Sequence, residues 1–363
     1  MSCVSATSCV AVGQDSAVEG QGIESVGIYS GSAWTWSTSS IVASDSSGGG
    51  VFWGLSCVSS NVCTAVGQDQ NDQSIFSTGD VSGSSWTASP STVAPSDDAG
   101  GGGFNDVKCS DEVTCVAVGT DGSQATFDTP LSPIVPAYPL VAPTDSTLGG
   151  GLGQVSCPSA ITCVAVGSNF EGQPVYSTGA QYGGQWTWST SSFSGPSDTT
   201  NGHVMGVSCP SSTRCIAVGY DSGAQPMYSA ATYSNGSWSW TPLTFEGPAS
   251  SATVDISGVS CLSTTSCLEV GFELVDNQAY PAYASATYTS GEWTWSTLTA
   301  LTSVQNEGQF TAISCASATS CVAVGSGIYD YQFEPMSASA TLANGVWTWT
   351  TPQEYEPVGN FTG

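Results

Sequence analysis

The chain has 363 residues, 40% hydrophobic and only 9% charged, and its 29 acidic side chains stand against two basic ones, Lys108 and Arg214. A net charge of -27 excludes nucleic acid and anionic lipid, which are held through clustered Lys and Arg, and a single arginine excludes any site that grips a carboxylate or phosphate with several of them. The 12 Trp, 13 Tyr and 11 Phe exclude a disordered chain, and no apolar run reaches the roughly 18 residues of a membrane helix; neutral or cationic ligands remain, namely sugars, amines, Ca2+ or a basic protein surface.

No signal peptide precedes the first motif, so Met1 is expected to be a mature or engineered start. From Ser2 onward one pattern, close to S-C-x5-C-x-A-V-G, recurs seven times. Repeat 1 reads SCVSATSCVAVG from Ser2, repeat 2 SCVSSNVCTAVG from Ser56, and repeat 3 KCSDEVTCVAVG from Lys108. Repeat 4 reads SCPSAITCVAVG from Ser156, repeat 5 SCPSSTRCIAVG from Ser208, repeat 6 SCLSTTSCLEVG from Ser260, and repeat 7 SCASATSCVAVG from Ser314.

Each repeat predicts four short strands. Strand a is apolar and runs into the first cysteine, as in Val51–Cys57; strand b follows the second, as in Cys63–Gly67. Strand c alternates with period 2, as in Pro174–Thr178 and Pro226–Ala230. Strand d carries G-x-W-x-W, as in Gly184–Trp188, Gly236–Trp240, Gly291–Trp295 and Gly345–Trp349. Asn235-Gly236 and Asn344-Gly345 are hairpin turns between c and d. Repeat 3 departs from the pattern: after Phe127 it runs from Pro130 to Pro143 with no G-x-W, and proline cannot donate to a ladder. Its outer strand is expected to be irregular, or a docking surface.

Units of about 50 residues with four strands each predict an all-β propeller, here a single seven-bladed domain over residues 1–363. The tail Phe361-Thr362-Gly363, continued by Met1-Ser2-Cys3, aligns with Phe310–Cys315, so residues 358–363 are expected to supply the strand that repeat 1 lacks and to close the ring.

The cysteines of each C-x5-C flank a tight a–b turn. They predict pairing of Cys3 with Cys9, Cys57 with Cys63, Cys109 with Cys115, Cys157 with Cys163, Cys209 with Cys215, Cys261 with Cys267 and Cys315 with Cys321. That is one disulfide per blade, and it implies an oxidising compartment. Zinc favours other spacings, and the chain has one His. Eleven tryptophans lie in strand d, where residues i and i+2 share a face; wedges between blades are the simpler role, sugar stacking the alternative. Trp53 sits instead in strand a, beside the channel, and is a candidate for ligand stacking.

In a propeller the b–c and d–a connections emerge on one face. Most of the carboxylates fall there, which either keeps the protein soluble or forms an acidic rim for a cation or for acid–base chemistry. Candidate catalytic groups on that rim are Asp69, Asp72, Asp97, Asp98, Asp221 and Asp255, with His203, the only histidine. Candidate ligand-binding groups are Trp53, Asp121 and the recurring b–c glutamines Gln73, Gln124, Gln173 and Gln225. Ca2+ would need six to eight oxygens from such loops, and no compact D-x-D-x-D loop is present. No G-x-S-x-G elbow, P-loop or dinucleotide fingerprint occurs.

The alternation of S-C-x5-C-x-A-V-G with G-x-W resembles secreted bacterial propellers with cysteine-containing repeats, and more loosely the BNR/Asp-box propellers. Of S-x-D-x-G-x-x-W only Gly and Trp persist, as in Gly183-Gly184-Gln185-Trp186, with Gly179 and Gln181 in place of its Ser and Asp. That resemblance implies a propeller and extracellular carbohydrate recognition, but transfers no catalytic residue. The expected function is therefore a secreted or cell-surface binding or structural module presenting an acidic face to a glycan, a cation or a protein. The alternative is a glycoside hydrolase using paired rim carboxylates. Self-assembly by exchange of the terminal strand is a further expectation.

Overall fold

Strands a and b of every repeat pair antiparallel around the C-x5-C turn, and the two cysteines meet across it with Cα atoms 3.9–4.0 Å apart. All seven predicted disulfides form, and no described cysteine is free. The computed structural model describes the chain except residues 16–20, 32, 42–49, 59–61, 90–91, 94–101, 113, 122–123, 129–149, 170, 196–201, 247–252, 303–306, 330–331, 356–359 and 362–363. Each repeat forms its own antiparallel sheet, in the order a-b-c-d in six repeats and a-b-c among the described residues of repeat 3. The strands run a few residues beyond their sequence bounds: a over Gly50–Val58, b over Val62–Asp69, c over Pro174–Tyr182 and Pro226–Ser234, d over Gln185–Ser192.

The two cysteines of a pair are not equivalent, as their common description as turn residues would suggest. The first is half-buried in every repeat but the third, where Cys109 is buried. The second is a core residue in all seven: Cys9, Cys63, Cys267 and Cys321 have no exposed surface, Cys163 has 1%, and Cys115 and Cys215 are buried too. Cys9 packs with Trp34 and Val322, Cys163 with Val155 and Trp188, Cys267 with Ile216 and Trp295, and Cys321 with Leu268 and Ala340. The reason is strand geometry. The second cysteine begins the fully buried run of strand b, whereas the first ends strand a at the turn. These buried sulfurs serve as core and staple, and none of them is an accessible site residue.

Six sheets are complete four-stranded blades. The sheet of repeat 3 has three described strands, Gly102–Cys109, Cys115–Asp121 and Gln124–Asp128. Among the described residues six four-stranded blades are seen where seven were expected. The proline-bearing segment of repeat 3, which lacks the G-x-W of a strand d, falls outside the described residues.

The repeat motif has a structural reason at each position. Strand a bulges one residue after its apolar anchor, between Phe52 and Gly54, Val204 and Gly206, and Phe310 and Ala312. The bulge presses the strand a carbonyl onto the Gly of A-V-G: a Cβ on Gly67 would lie 1.8 Å from the Val51 oxygen, and one on Gly219 1.9 Å from that of His203. Only glycine fits there. The Ala of the motif is fully buried, as at Ala65 and Ala217. Asn235 and Gly236, like Asn344 and Gly345, have positive φ, as a two-residue hairpin turn of this kind requires.

The Ser before the first cysteine stitches sheets together. Its hydroxyl accepts the amide of the corresponding cysteine in the next repeat at 3.0–3.2 Å: Cys57 on Ser2, Cys109 on Ser56, Cys209 on Ser156, Cys261 on Ser208, Cys315 on Ser260. Cys3 donates to Ser314, which joins the last repeat to the first. Lys108 interrupts the series because it carries no hydroxyl. The ring is also closed by strand pairing, since Asn360–Phe361 lies antiparallel to Gly13–Gln14.

The second Trp of strand d packs into the wedge against the preceding sheet. Trp240 lies 5.4 Å from Tyr176, Trp295 5.8 Å from Tyr228 and Trp349 5.0 Å from Tyr283, between ring centroids. Trp36 donates instead to Ser337, which stands at the same position of repeat 7. In repeat 1 that position, opposite the Val of A-V-G, is Glu24, and in repeat 2 the second Trp is Ala88. Glu24 is thus buried (4% exposed) with Oε2 lacking a donor. Burial pushes its carboxyl up to about 7 against the opposing hydrogen bond from Ser39.

Candidate functional site

The rim carboxylates separate into loop closers and solvent-facing groups. Asp69 Oδ1 accepts the amides of Asn71 and Gln73 at 2.9 and 2.7 Å, and Asp221 Oδ1 those of Gly223 and Gln225 at 2.9 and 2.8 Å. Asn169 does the same for Glu171 and Gln173, and its amide donates to Gln173 Oε1 at 3.1 Å. These side chains satisfy the backbone of b–c turns, and Gln73, Gln173 and Gln225 are the residues they hold. Asp72 has φ 59 and accepts a bond from Gln68. Asp121 and Gln124 pair by backbone at the b–c turn of repeat 3. Asp97 and Asp98 lie outside the described residues. Trp53 is the bulge residue of its strand, with its ring against Gly103 of the next sheet.

The structure does bring His203 and Asp255 together. His203 opens strand a of repeat 5, and Tyr220 closes the paired strand b, with ring centroids 5.4 Å apart. The Tyr220 hydroxyl hydrogen-bonds Asp255 of repeat 6; burial first, then this carboxylate, pushes the phenol up to about 12. Burial raises the Asp255 carboxyl, opposed by the Tyr220 bond and the His203 charge. Tyr220 therefore stays protonated as a donor. Sequence reasoning missed it, although it is the one Tyr that directly follows an A-V-G.

The wedge between repeats 5 and 6 is open at both ends of the Tyr228–Trp295 ring pair. On the disulfide side a cleft of about 430 Å³ is lined by Arg214, Thr232, Ser239, Thr241, Tyr288, Glu292 and Trp293, among others. Strand b of repeat 5 (Arg214–Tyr220) begins with Arg214, and the c–d hairpin of repeat 6 carries the aromatic wall. The Arg214 guanidinium sits 4.2 Å over the Tyr288 ring, which in turn lies 5.3 Å from Trp293. Tyr228 donates to the Trp293 carbonyl at 3.4 Å. Burial, then Glu246 and Glu292, raises its phenol. A planar cation held by a ring, an aromatic wall and several hydroxyls form a surface with both donors and acceptors.

At the rim end a smaller cleft of about 120 Å³ is lined by Phe245, Glu246, Glu273, Trp295 and Leu298, among others. Behind it lies Glu269, fully buried, in the place other repeats give to Ala. That Glu-for-Ala exchange in C-L-E-V-G was the available signal. Among the described residues no group of three His, Cys, Asp or Glu side chains is placed to hold a metal ion, and no helix is long and apolar enough to cross a membrane.

No family model matches the chain, and no curated protein matches it. Solved structures share its fold. A periplasmic gluconolactonase from Pseudomonas aeruginosa superposes with a TM-score of 0.63 at 8% identity, covering 97% of each chain. A lectin from Burkholderia pseudomallei gives 0.58 at 11% identity over 96% of this chain and 99% of its own. A hypothetical selenium-binding protein from Sulfolobus tokodaii gives 0.66 at 6% identity over 99% and 93%. At such identities the likeness is one of fold, the β-propeller.

Proposed function

We propose that this protein is a carbohydrate-binding module of an oxidising, extracytoplasmic compartment, and that the larger cleft between repeats 5 and 6 holds a neutral sugar. The observation that carries this reading is the Arg214–Tyr288–Trp293 stack facing Thr232, Ser239 and Thr241. A pyranose offers one C–H face for a ring and hydroxyls around its edge, and this cleft supplies counterparts to both. Arg214 brings a fixed fork of donors, Glu292 an acceptor. The lectin of like fold and the seven disulfides agree with the reading. In this picture the three-stranded sheet of repeat 3 counts as the seventh blade. The hydrolase alternative loses ground because Asp69 and Asp221 are engaged by their own loops.

The test is a neutral-glycan array combined with a reducing-sugar assay, on the native protein and on Arg214→Ala and Trp293→Ala. Retention of a glycan without turnover, weakened in both variants with the melting transition preserved, is expected. No retained glycan, or retention indifferent to both substitutions, overturns the proposal.

A further inference from the structure

The smaller cleft carries a different chemistry. Its walls are the rings of Phe245 and Trp295 and the carboxyls of Glu246 and Glu273. Glu246 follows the short strand Thr244–Phe245, and its backbone amide is tied to the Pro226 carbonyl at 3.2 Å. Glu269 and Glu273 are four positions apart on strand b of repeat 6 (Ser266–Val275), hence on one face of it. Glu273 accepts the backbone amide of Ala300. Glu246 Oε1 and both oxygens of Glu269 are buried without a donor, and Glu246 stands between Glu269 and the cleft. Arg214 lines the other cleft, and among the described residues no Lys or Arg lines this one.

Two buried carboxylates have only acceptors to offer each other. Once one is protonated, its O–H has the other carboxylate as its acceptor. A proton is one cation that relieves such a pair. A ligand bringing positive charge and N–H donors is another, and two aromatic rings suit its charge and its alkyl part.

We infer that the Glu246/Glu269/Glu273 cleft is a binding site for a small primary ammonium, a free alkylamine or the end of a lysine side chain. The R–NH3+ group enters between Glu246 and Glu273 and donates to both. The proton on Glu246 leaves to solvent while Glu269 keeps its own, so one cation replaces another and charge balances. A volume of about 120 Å³ admits an amine of a few carbons and excludes a sugar ring with its substituents. The titratable groups facing the site are Glu246 from repeat 5, Glu269 and Glu273 from strand b of repeat 6, and Tyr228 from strand c of repeat 5. Val254 and the segment from Trp295 to Leu298 add none.

Burial and the neighbouring Glu246 hold the Glu269 carboxyl well above the ordinary carboxyl value, and burial holds that of Glu246 up at about 7. Displacing one proton then makes affinity rise about tenfold per pH unit below that value. The experiment is calorimetric titration of the whole protein with n-butylammonium, in two buffers of different ionisation enthalpy, from pH 5.5 to 8. Binding with release of about one proton at the acid end is expected. Glu269→Gln should keep that release, because burial by itself holds the Glu246 carboxyl up, and Glu246→Gln should lose binding at least tenfold while keeping its melting transition. n-Butanol is the neutral control. Equal binding of butanol, undiminished binding in Glu246→Gln, or no heat with butylammonium at any pH overturns the inference. Glycan retention on the other cleft is independent of each of these outcomes.

Discussion

The Cys209 amide donates to the Ser156 hydroxyl at 3.1 Å, across 53 residues and from one sheet to the next. Repeated around the ring, that bond explains why Ser precedes the first cysteine, and it gives every sheet boundary but one a directional link. Ser156→Ala leaves the part-buried Cys209 amide without its acceptor, and a cost of about 1–2 kcal/mol is expected in urea unfolding. Lys108→Ser supplies the hydroxyl missing between repeats 3 and 4 and should raise stability by about 0.5–1 kcal/mol.

The disulfides cross-link the a–b turn inside a single hairpin, with five residues between partners. Closing so short a loop stabilises by about 2 kcal/mol in the chain-entropy model. Replacing Cys209 and Cys215 together by Ala should therefore lower the unfolding free energy by about that amount, while full reduction compounds seven such losses. Thermal scans with and without reductant measure both.

Stability should fall as pH rises, the reverse of a protein held by paired carboxylates. Glu24 and Glu246 have folded values near 7 because burial disfavours their charged forms. Between the ordinary carboxyl value of 4.5 and about 7 the folded chain holds protons that the unfolded chain has released, so unfolding becomes easier across that window and levels off above it. Melting at pH 5 is expected well above melting at pH 8. Glu24→Gln should flatten its share of the slope and gain up to about 3 kcal/mol at pH 8. A melting temperature that climbs from pH 5 to pH 8 contradicts this account.

Ring closure rests in part on the pairing of Asn360–Phe361 with Gly13–Gln14, beside the Cys3–Ser314 bond. Deleting residues 358–363 removes that pairing and leaves part of the strand over Ser8–Gln14 as an open edge. The truncated protein should melt lower and elute in size exclusion as a larger, concentration-dependent species, whereas the full chain should not shift.

Much of this was open to inspection in the residues themselves. The cysteine spacing, the A-V-G and G-x-W motifs and the Asn-Gly turns act within a hairpin of a few residues, so pattern alone reveals strand order and disulfide pairing. Even the Gly of A-V-G could be marked as special, although its reason, the carbonyl of Val51 against Gly67, is a contact between paired strands. Single departures carried more than the motif: Glu24 where other repeats place Tyr, Phe or Ser, Glu269 where they place Ala, Lys108 where they place Ser.

What those departures do could not be read along one strand. Whether Asp221 reaches for a ligand or for its own Gln225 amide depends on local turn geometry. That Cys321 is sealed beneath Leu268 of the neighbouring sheet, while its partner Cys315 stays half-buried, is likewise invisible in the spacing that pairs them. Whether Glu269 finds a partner depends on Glu246, which another sheet delivers. A repeat pattern reports what each sheet asks of its own residues, because ladder pairing and disulfide closure are local. Clefts, buried charge and shared protons arise where two sheets meet, and only their packing sets the distance and the dielectric there.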